Sequence, residues 1–256
     1  MNATLIAVDI GNSRAKAGWF DQAAIAAELP RPAMTRNLVT GQAPSAEWLD
    51  GLPAEPIRWR VVSVNREGLR VFTDWVHRCR AQDELRVLTL DDMPLTVRVD
   101  HPDQVGPDRL AAAVAANALR AANRAAVVVS AGTALTVNVV GRDGAFEGGV
   151  ILAGFRMQAE ALFRTADLLP LAAWKPGEEP PVIGKNTEAA IQSGLFWGAV
   201  GAVREIIGRV AHEIGQQPQV FVTGGDLARL APLVGEDTRF VPNLVLGGIA
   251  IASRER

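Results

Sequence analysis

Leu5-Ile6-Ala7-Val8-Asp9-Ile10-Gly11-Asn12-Ser13 is the stretch on which the fold is decided. A short, apolar, partly β-branched run that breaks into a glycine-containing polar turn reads as a buried strand entering a hairpin. The return strand is expected from Ala15 to Phe20, where Lys16 and Gly18 alternate with Ala17 and Trp19. The same device begins again half a chain later. Val127-Val128-Val129 enters the turn Ser130-Ala131-Gly132-Thr133-Ala134 and leaves through Leu135 to Val140. This internal repeat predicts a duplicated α/β fold with halves over 1–122 and 123–256.

Working outward, strands are expected at Trp59–Val64, Arg86–Leu90, Ala145–Leu152 and Gln219–Val222, the last running into Thr223-Gly224-Gly225-Asp226. Helical spacing of Leu69, Phe72, Trp75 and Val76 predicts a helix over Gly68–Arg80. Further helices are expected at Asp108–Ala122, Phe155–Thr165, Thr187–Gly208 and Leu227–Leu233. Pro107 and Asp108 suit the start of the first of these, where proline loses no hydrogen bond and a carboxylate meets free N–H groups. The Pro-, Ala- and Thr-rich stretch from Arg31 to Pro56 reads as loops with one short helix.

The bulk properties narrow the class. A chain of 256 residues that is 48% hydrophobic buries a sizeable core without staples, and its one cysteine, Cys79, cannot form an intramolecular disulfide. A net charge of −2 gives no electrostatic case for nucleic acid or an anionic membrane. No apolar run approaches the ~20 residues that span a bilayer, and the N-terminus has no basic stretch of the signal-peptide kind. The expectation is a soluble, cytoplasmic protein with no membrane and no nucleic-acid partner.

Both turns have the chemistry of a phosphate cradle. Glycine lets the backbone approach an anion, successive N–H groups converge on it, and small hydroxyl or amide side chains add donors. Gly11, Asn12 and Ser13 form one candidate cradle and Gly132 with Thr133 the other; Gly224 and Gly225 make a third glycine turn. Asp9 cannot bind phosphate but can hold Mg²⁺ beside it. Gly, Asn, Asp and Ser also dominate ordinary turns, so each cradle alone is equally an ordinary hairpin; the ordered set points to nucleotide. Lys16 either reaches the phosphates or points to solvent. Asp108 is chemically apt as a base for an attacking hydroxyl and equally apt as a first-turn helix acid. Beside it, Arg109 offers a planar fork for a carboxylate or is a solvated helix residue.

The ordered motifs resemble the type III pantothenate kinases, a group that includes proteins named Bvg accessory factors, within the actin/hexokinase/Hsp70 superfamily. Asp9-Ile10-Gly11-Asn12-Ser13 resembles the family's D-x-G-N-[ST] start, and Gly106-Pro107-Asp108-Arg109 its G-x-D-R element. Ala131-Gly132-Thr133-Ala134 with Thr136 is similar to A-G-T-A-x-T, and Gly148-Gly149-Val150-Ile151 with Gly154 to G-G-x-I-x-x-G. Asn186-Thr187, leading to Ala190-Ile191-Gln192-Ser193-Gly194, resembles a further family stretch.

This resemblance implies a duplicated actin/hexokinase-like (ribonuclease H-like) fold with the nucleotide cleft between its halves. It implies ATP-dependent phosphorylation of pantothenate, the entry to coenzyme A, by a homodimer. Asp108 would be the base. ATP would be held by Asp9, Gly11, Asn12, Ser13, Lys16, Gly132, Thr133, Gly224 and Gly225. Pantothenate would meet Val99, Gly106, Pro107, Arg109 and Thr187, with the long Thr187–Gly208 helix a candidate for dimer packing.

The chain departs from the family's pattern at ligand positions. Ser130 stands where the family has an aspartate associated with K⁺ or NH₄⁺, and Asn138 replaces a second acidic residue. Val99 stands for a tyrosine and His101 for an asparagine. The expectation is that the ATP and acceptor machinery persists while cation dependence and pantothenate affinity change. Two other functions fit the same residues. One is a kinase of this fold acting on another small hydroxy acid; the other is a nucleotide-binding accessory protein without turnover.

Overall fold

The computed structural model describes residues 4–45, 47–48, 51–173, 178–225, 228–235 and 237–254. They divide into two compact units, the first holding the residues up to Leu119 together with those from Asn243 onward, the second running from Arg120 to Pro242. The boundary expected at 122/123 therefore lies close to the observed crossing, but the C-terminal segment belongs to the first unit.

In the first unit, β1 (Thr4–Ile10), β2 (Arg14–Phe20), β3 (Met34–Val39), β4 (Ile57–Ser63) and β5 (Glu84–Val87) form a sheet in the order β3-β2-β1-β4-β5. β1–β2 and β2–β3 are antiparallel, while β1–β4 and β4–β5 are parallel. The period-2 alternation of β1 sends its side chains to two different covers. Ile6, Val8 and Ile10 join an aromatic core with Trp19, Trp48, Trp59, Phe72 and Trp75, where α2 (Arg66–Cys79) lies. Trp59 and Trp75 meet edge-on there at 6.2 Å between centroids, a favoured aromatic geometry.

Leu5, Ala7 and Asp9 face the other way, toward α3 (Pro107–Leu119) and the C-terminal helix Leu244–Ala252. Those two helices cross at backbone contact. A Cβ on Gly248 would stand 1.8 Å from the Ala111 carbonyl oxygen, so only glycine permits the crossing. A short helix, α1 (Gln22–Ala26), follows β2.

The second unit repeats the topology. β6 (Ala126–Ala131), β7 (Ala134–Val140), β8 (Phe146–Ala153), β9 (Gln219–Thr223) and β10 (Thr238–Phe240) lie in the order β10-β9-β6-β7-β8, with β6–β7 and β7–β8 antiparallel and β6–β9 and β9–β10 parallel. Counted from its own first strand this is the order 3-2-1-4-5 of the first sheet read from the other edge, so the duplication expected from the two turns is present in the fold. Val127, Val129, Leu135, Val137, Val220 and Val222 pack with α4 (Phe155–Thr165) and α5 (Thr187–Ile214). The unit is completed by α6 (Ala231–Val234), and the C-terminal helix Leu244–Ala252 is α7.

Several elements differ from expectation. The loop reading of 31–56 missed β3, a sheet-edge strand of alternating exposed and half-buried residues with no apolar face. β10 and α7 were not anticipated either. α5 runs beyond Gly208 and stops at Gly215, whose left-handed φ of 68° closes the helix. The strand expected at Arg86–Leu90 is β5, Glu84–Val87. Of the helix expected from Leu227, only Ala231–Val234 forms, and Leu227, like Asp226, lies outside the described residues.

Candidate functional site

In the first unit the β1–β2 turn is closed by the Gly11 N–H donating to the Arg14 carbonyl at 3.0 Å. Thr40 Oγ1 donates to the Gly11 carbonyl at 2.8 Å, tying the end of β3 to the turn. Asn12 and Ser13 are exposed at its tip, and Asp9 sits one pleat below, opposite Lys16 across the antiparallel ladder. Lys16 is half-buried. Burial lowers its pKa and the neighbouring Asp9 carboxylate opposes that shift.

Asp9 is the most perturbed acid of this unit. Burial, reinforced by the charge of Asp108 and opposed by Lys16, pushes its carboxyl up to about 7. That coupling brings together two residues 99 positions apart, because α3 starts over the face of the sheet on which Asp9 stands. Gly106 opens this start. A Cβ there would lie 2.5 Å from Asp108 Oδ1 and 3.4 Å from Val64 Cγ1. The Asp108 carboxyl is itself raised by burial, with backbone N–H groups and the Arg109 charge pulling the other way. Arg109 is half-buried next to it, its pKa lowered by burial and supported by Asp108. Val99 is half-buried and His101 exposed just ahead of a 3₁₀ turn at Pro102–Gln104.

The Asp9 carboxyl is held up by burial and by the neighbouring Asp108 charge, which outweigh the opposing Lys16. Oxygen donors of this kind match a hard divalent cation, so Asp9, flanked by Asp108, fits Mg²⁺.

The second unit carries the other glycine turn. The β6–β7 turn is tight, with the Gly132 N–H donating to the Ala134 carbonyl at 2.9 Å. Two other glycines come up against it. A Cβ on Gly154, at the start of α4, would stand 2.4 Å from the Thr133 carbonyl oxygen, and one on Gly224 would stand 2.4 Å from that of Ala131. Gly224 also has φ +108°, a conformation side chains rarely adopt. Gly132, Thr133 and Gly224 are thus neighbours, and Gly225 follows directly. Ser130 pairs with Thr136 on one side and Thr223 on the other. The fully buried Asn138 donates to Thr136 Oγ1 at 3.2 Å. These residues are all neutral, so they offer a monovalent cation hydroxyl and amide oxygens but no charge.

Thr187 is the first residue of α5 and exposed. The cap of that helix is Asn186, whose Oδ1 accepts from the Ala189 N–H at 2.8 Å, and Thr187 follows it. Residue reasoning missed Asn65 and Thr40, which brace the first turn; Asn65 precedes a helix and carries only the signal of an N-cap.

With this geometry in place, the comparisons are specific. The profile of the type III pantothenate kinase family matches residues 5–209. The chain belongs to this family. It is 34% identical over 257 residues to a type III pantothenate kinase from Alkalilimnicola ehrlichii, covering 97% of each chain. A type III pantothenate kinase from Ruegeria pomeroyi is 44% identical over 160 residues, 61% of this chain and 58% of the relative. One from Akkermansia muciniphila is 42% identical over 63% of this chain and 66% of its own length. The chain thus spans somewhat less than two thirds of the length of these last two relatives.

Among solved structures, a protein assigned as a Baf family transcriptional activator from Campylobacter jejuni superposes with TM-score 0.57 at 18% identity, covering 95% of this chain and 94% of that one. A protein assigned as a 2-dehydro-3-deoxygalactonokinase from Sinorhizobium meliloti gives TM-score 0.59 at 17% identity over 98% of both. At these identities the likeness is one of fold, the duplicated α/β architecture described above.

Proposed function

We propose that this chain is an ATP-dependent pantothenate kinase, phosphorylating pantothenate to 4′-phosphopantothenate at the start of coenzyme A synthesis. The carrying observation is that a family match over most of the chain coincides with a charged cluster, Asp9, Lys16, Asp108 and Arg109, beside a phosphate-type turn.

In this reading Gly11, Asn12 and Ser13 hold nucleotide phosphate by backbone and side-chain donors, and Gly132 and Thr133 offer donors of the same kind within their own unit. Gly224 and Gly225 border the adenosine. Lys16 neutralises phosphate charge. Asp9 would hold Mg²⁺, which supplies charge neutralisation on the phosphate oxygens. Asp108 accepts the proton of the acceptor hydroxyl, and its raised pKa makes it a stronger base than an ordinary aspartate. Arg109 pairs with the pantothenate carboxylate by a bidentate fork, with Gly106, Pro107, Val99 and Thr187 shaping the acceptor pocket. Valine at position 99 cannot give a phenolic hydrogen bond, so acceptor affinity rests more heavily on Arg109. The neutral Ser130 makes K⁺ or NH₄⁺ dispensable.

A cytoplasmic homodimer completes the reading. Among the described residues no helix is long and apolar enough to cross a membrane. The α5 helix considered for dimer packing also contributes Leu195, Phe196, Val200 and Val203 to the core of its own unit. Exposed apolar side chains lie on the edge strand β8, at Val150 and Ile151, and on α4, at Met157 and Phe163. They mark the dimer face.

The test is turnover of ATP with pantothenate by purified protein, with and without K⁺. Pantothenate-dependent ADP formation that needs no K⁺ is the expected result. Nucleotide binding without turnover on pantothenate would overturn the acceptor assignment and favour an accessory role or another hydroxy acid.

A further inference from the structure

Asn65 stands at the corner where β4 passes into α2, and its backbone is held there. Its N–H donates to Ser63 Oγ at 3.1 Å, Ser63 Oγ donates back to its carbonyl at 2.9 Å, and the neighbouring Val64 N–H donates to the Ile10 carbonyl at 3.0 Å. The side chain caps α2, Oδ1 accepting from the Gly68 N–H at 2.7 Å. A cap must present an oxygen, because an amide nitrogen has no acceptor to offer. The helix N-terminus therefore decides which way round this amide lies.

Its Nδ2 is turned toward the first phosphate turn, where it donates to Asn12 Oδ1 at 3.3 Å. The argument then repeats one residue further on. With its oxygen turned to the Asn65 donor, Asn12 keeps both N–H groups of its amide to present, and these suit an anion. The approach of α2 to the turn is close enough for this relay because residue 68 is glycine: a Cβ there would stand 2.5 Å from Thr40 Cγ2 and 3.0 Å from Ile10 Cγ2.

We infer that Asn65 is a positioning residue for nucleotide phosphate, holding Asn12 with its amide N–H groups presented to the anion. The identity of that anion rests on the phosphotransfer reading above; the orientation of Asn12 does not. Asn65 touches no substrate in this scheme and acts through Asn12.

The experiment separates capping from orientation. Serine and aspartate both cap helices well, yet neither can donate as an amide nitrogen does. Asn65→Ser is expected to melt like the wild type while raising the ATP KM about three- to ten-fold, the worth of one neutral hydrogen bond. The pantothenate KM stays unchanged. Asn65→Asp is expected to cost more, since its carboxylate draws the Asn12 N–H groups toward itself and leaves an oxygen facing the phosphates. Adding Asn65→Ser to Asn12→Ala is expected to have no further effect. In the unliganded protein, ¹⁵N relaxation of the Asn12 side-chain amide should show order in the wild type and mobility in Asn65→Ser. An unchanged Asn12 amide in Asn65→Ser, or an ATP effect that persists undiminished without Asn12, would overturn the inference. Because the relaxation measurement needs neither ATP nor pantothenate, a protein without kinase activity would fail the functional reading and leave this result standing by itself.

Discussion

The two phosphate-type turns sit at the same place in the same topology, yet their chemistry is divided. In the first, Asp9 lies two residues before the turn glycine and faces Lys16 across the ladder. In the second, Ser130 lies two residues before Gly132 and faces Thr136. One copy carries charge, where burial pushes Asp9 up to about 7, and the other carries hydroxyls. The first turn is also braced by side chains, Thr40 and Asn65, whereas glycines at 154 and 224 let backbone crowd the second. A duplicated fold places the same strand–turn–strand device twice, and the two turns differ in the chemistry their side chains offer.

Removing the proposed base of the charged copy gives the largest expected effect. Asp108→Asn is expected to lower kcat by about 10²–10⁴-fold with little change in nucleotide affinity, measured by steady-state assay and calorimetric titration. An undiminished kcat would move the chemistry away from this copy.

The backbone copy is broken by adding one methyl group. Gly224→Ala is expected to cost about 1–3 kcal/mol, because the new Cβ meets the Ala131 carbonyl oxygen at 2.4 Å and φ is +108°. Weaker nucleotide binding and a lower melting temperature would both follow. Wild-type values for both would show that the second turn tolerates what its geometry forbids.

The electrostatic strain of the first copy is read by pH. The folded-state pKa of Asp9 lies above its ordinary value of 3.8, so the folded protein binds this proton more tightly than the unfolded chain. The unliganded protein should lose stability as pH rises from about 4 through about 7 and level off above, as far as this group is concerned. Asp9→Asn should remove that part of the slope, making the unliganded variant relatively more stable at pH 8 while abolishing Mg-ATP turnover. Parallel melting curves across this range would show that Asp9 ionises without penalty.

The smallest effect is expected from making the second copy resemble the first. Ser130→Asp adds a carboxylate beside the Thr136 and Thr223 hydroxyls and should confer stimulation by K⁺, a few-fold at most. Activity indifferent to K⁺ in this variant would place any monovalent-cation requirement elsewhere.

Much of this was legible in the chain. Each strand–turn–strand unit is local: apolar alternation, glycine and a polar tip lie within about a dozen residues, and no distant partner is needed to specify them. β3 was not legible because Arg36 interrupts the half-buried side of the edge strand Met34-Thr35-Arg36-Asn37-Leu38-Val39, so its sequence lacks the apolar alternation that marks a strand. α7 was not legible because Leu244–Ala252 is apolar all round and contains two glycines, a poor helix signal by itself. It is a helix where Gly248 can lie against Ala111. The site divides in the same way. Asp9, Gly11, Asn12, Asp108 and Gly132 stand in motifs with recognisable local chemistry. Lys16 was ambiguous until β2 placed it opposite Asp9, and Asn65 looked like any helix cap.

The sequence by itself determined the duplication, the two turns, the family and the identities of the charged groups, because these are carried by residues close together in the chain. Only the tertiary structure decided that Asp9 and Asp108 share a field, that Asn65 orients Asn12, and that the C-terminal helix returns to the first unit. Those relations join residues 53, 99 and more positions apart. Burial and hydrogen-bond direction, which set their energies, exist only once the sheet and its helices have brought them into contact.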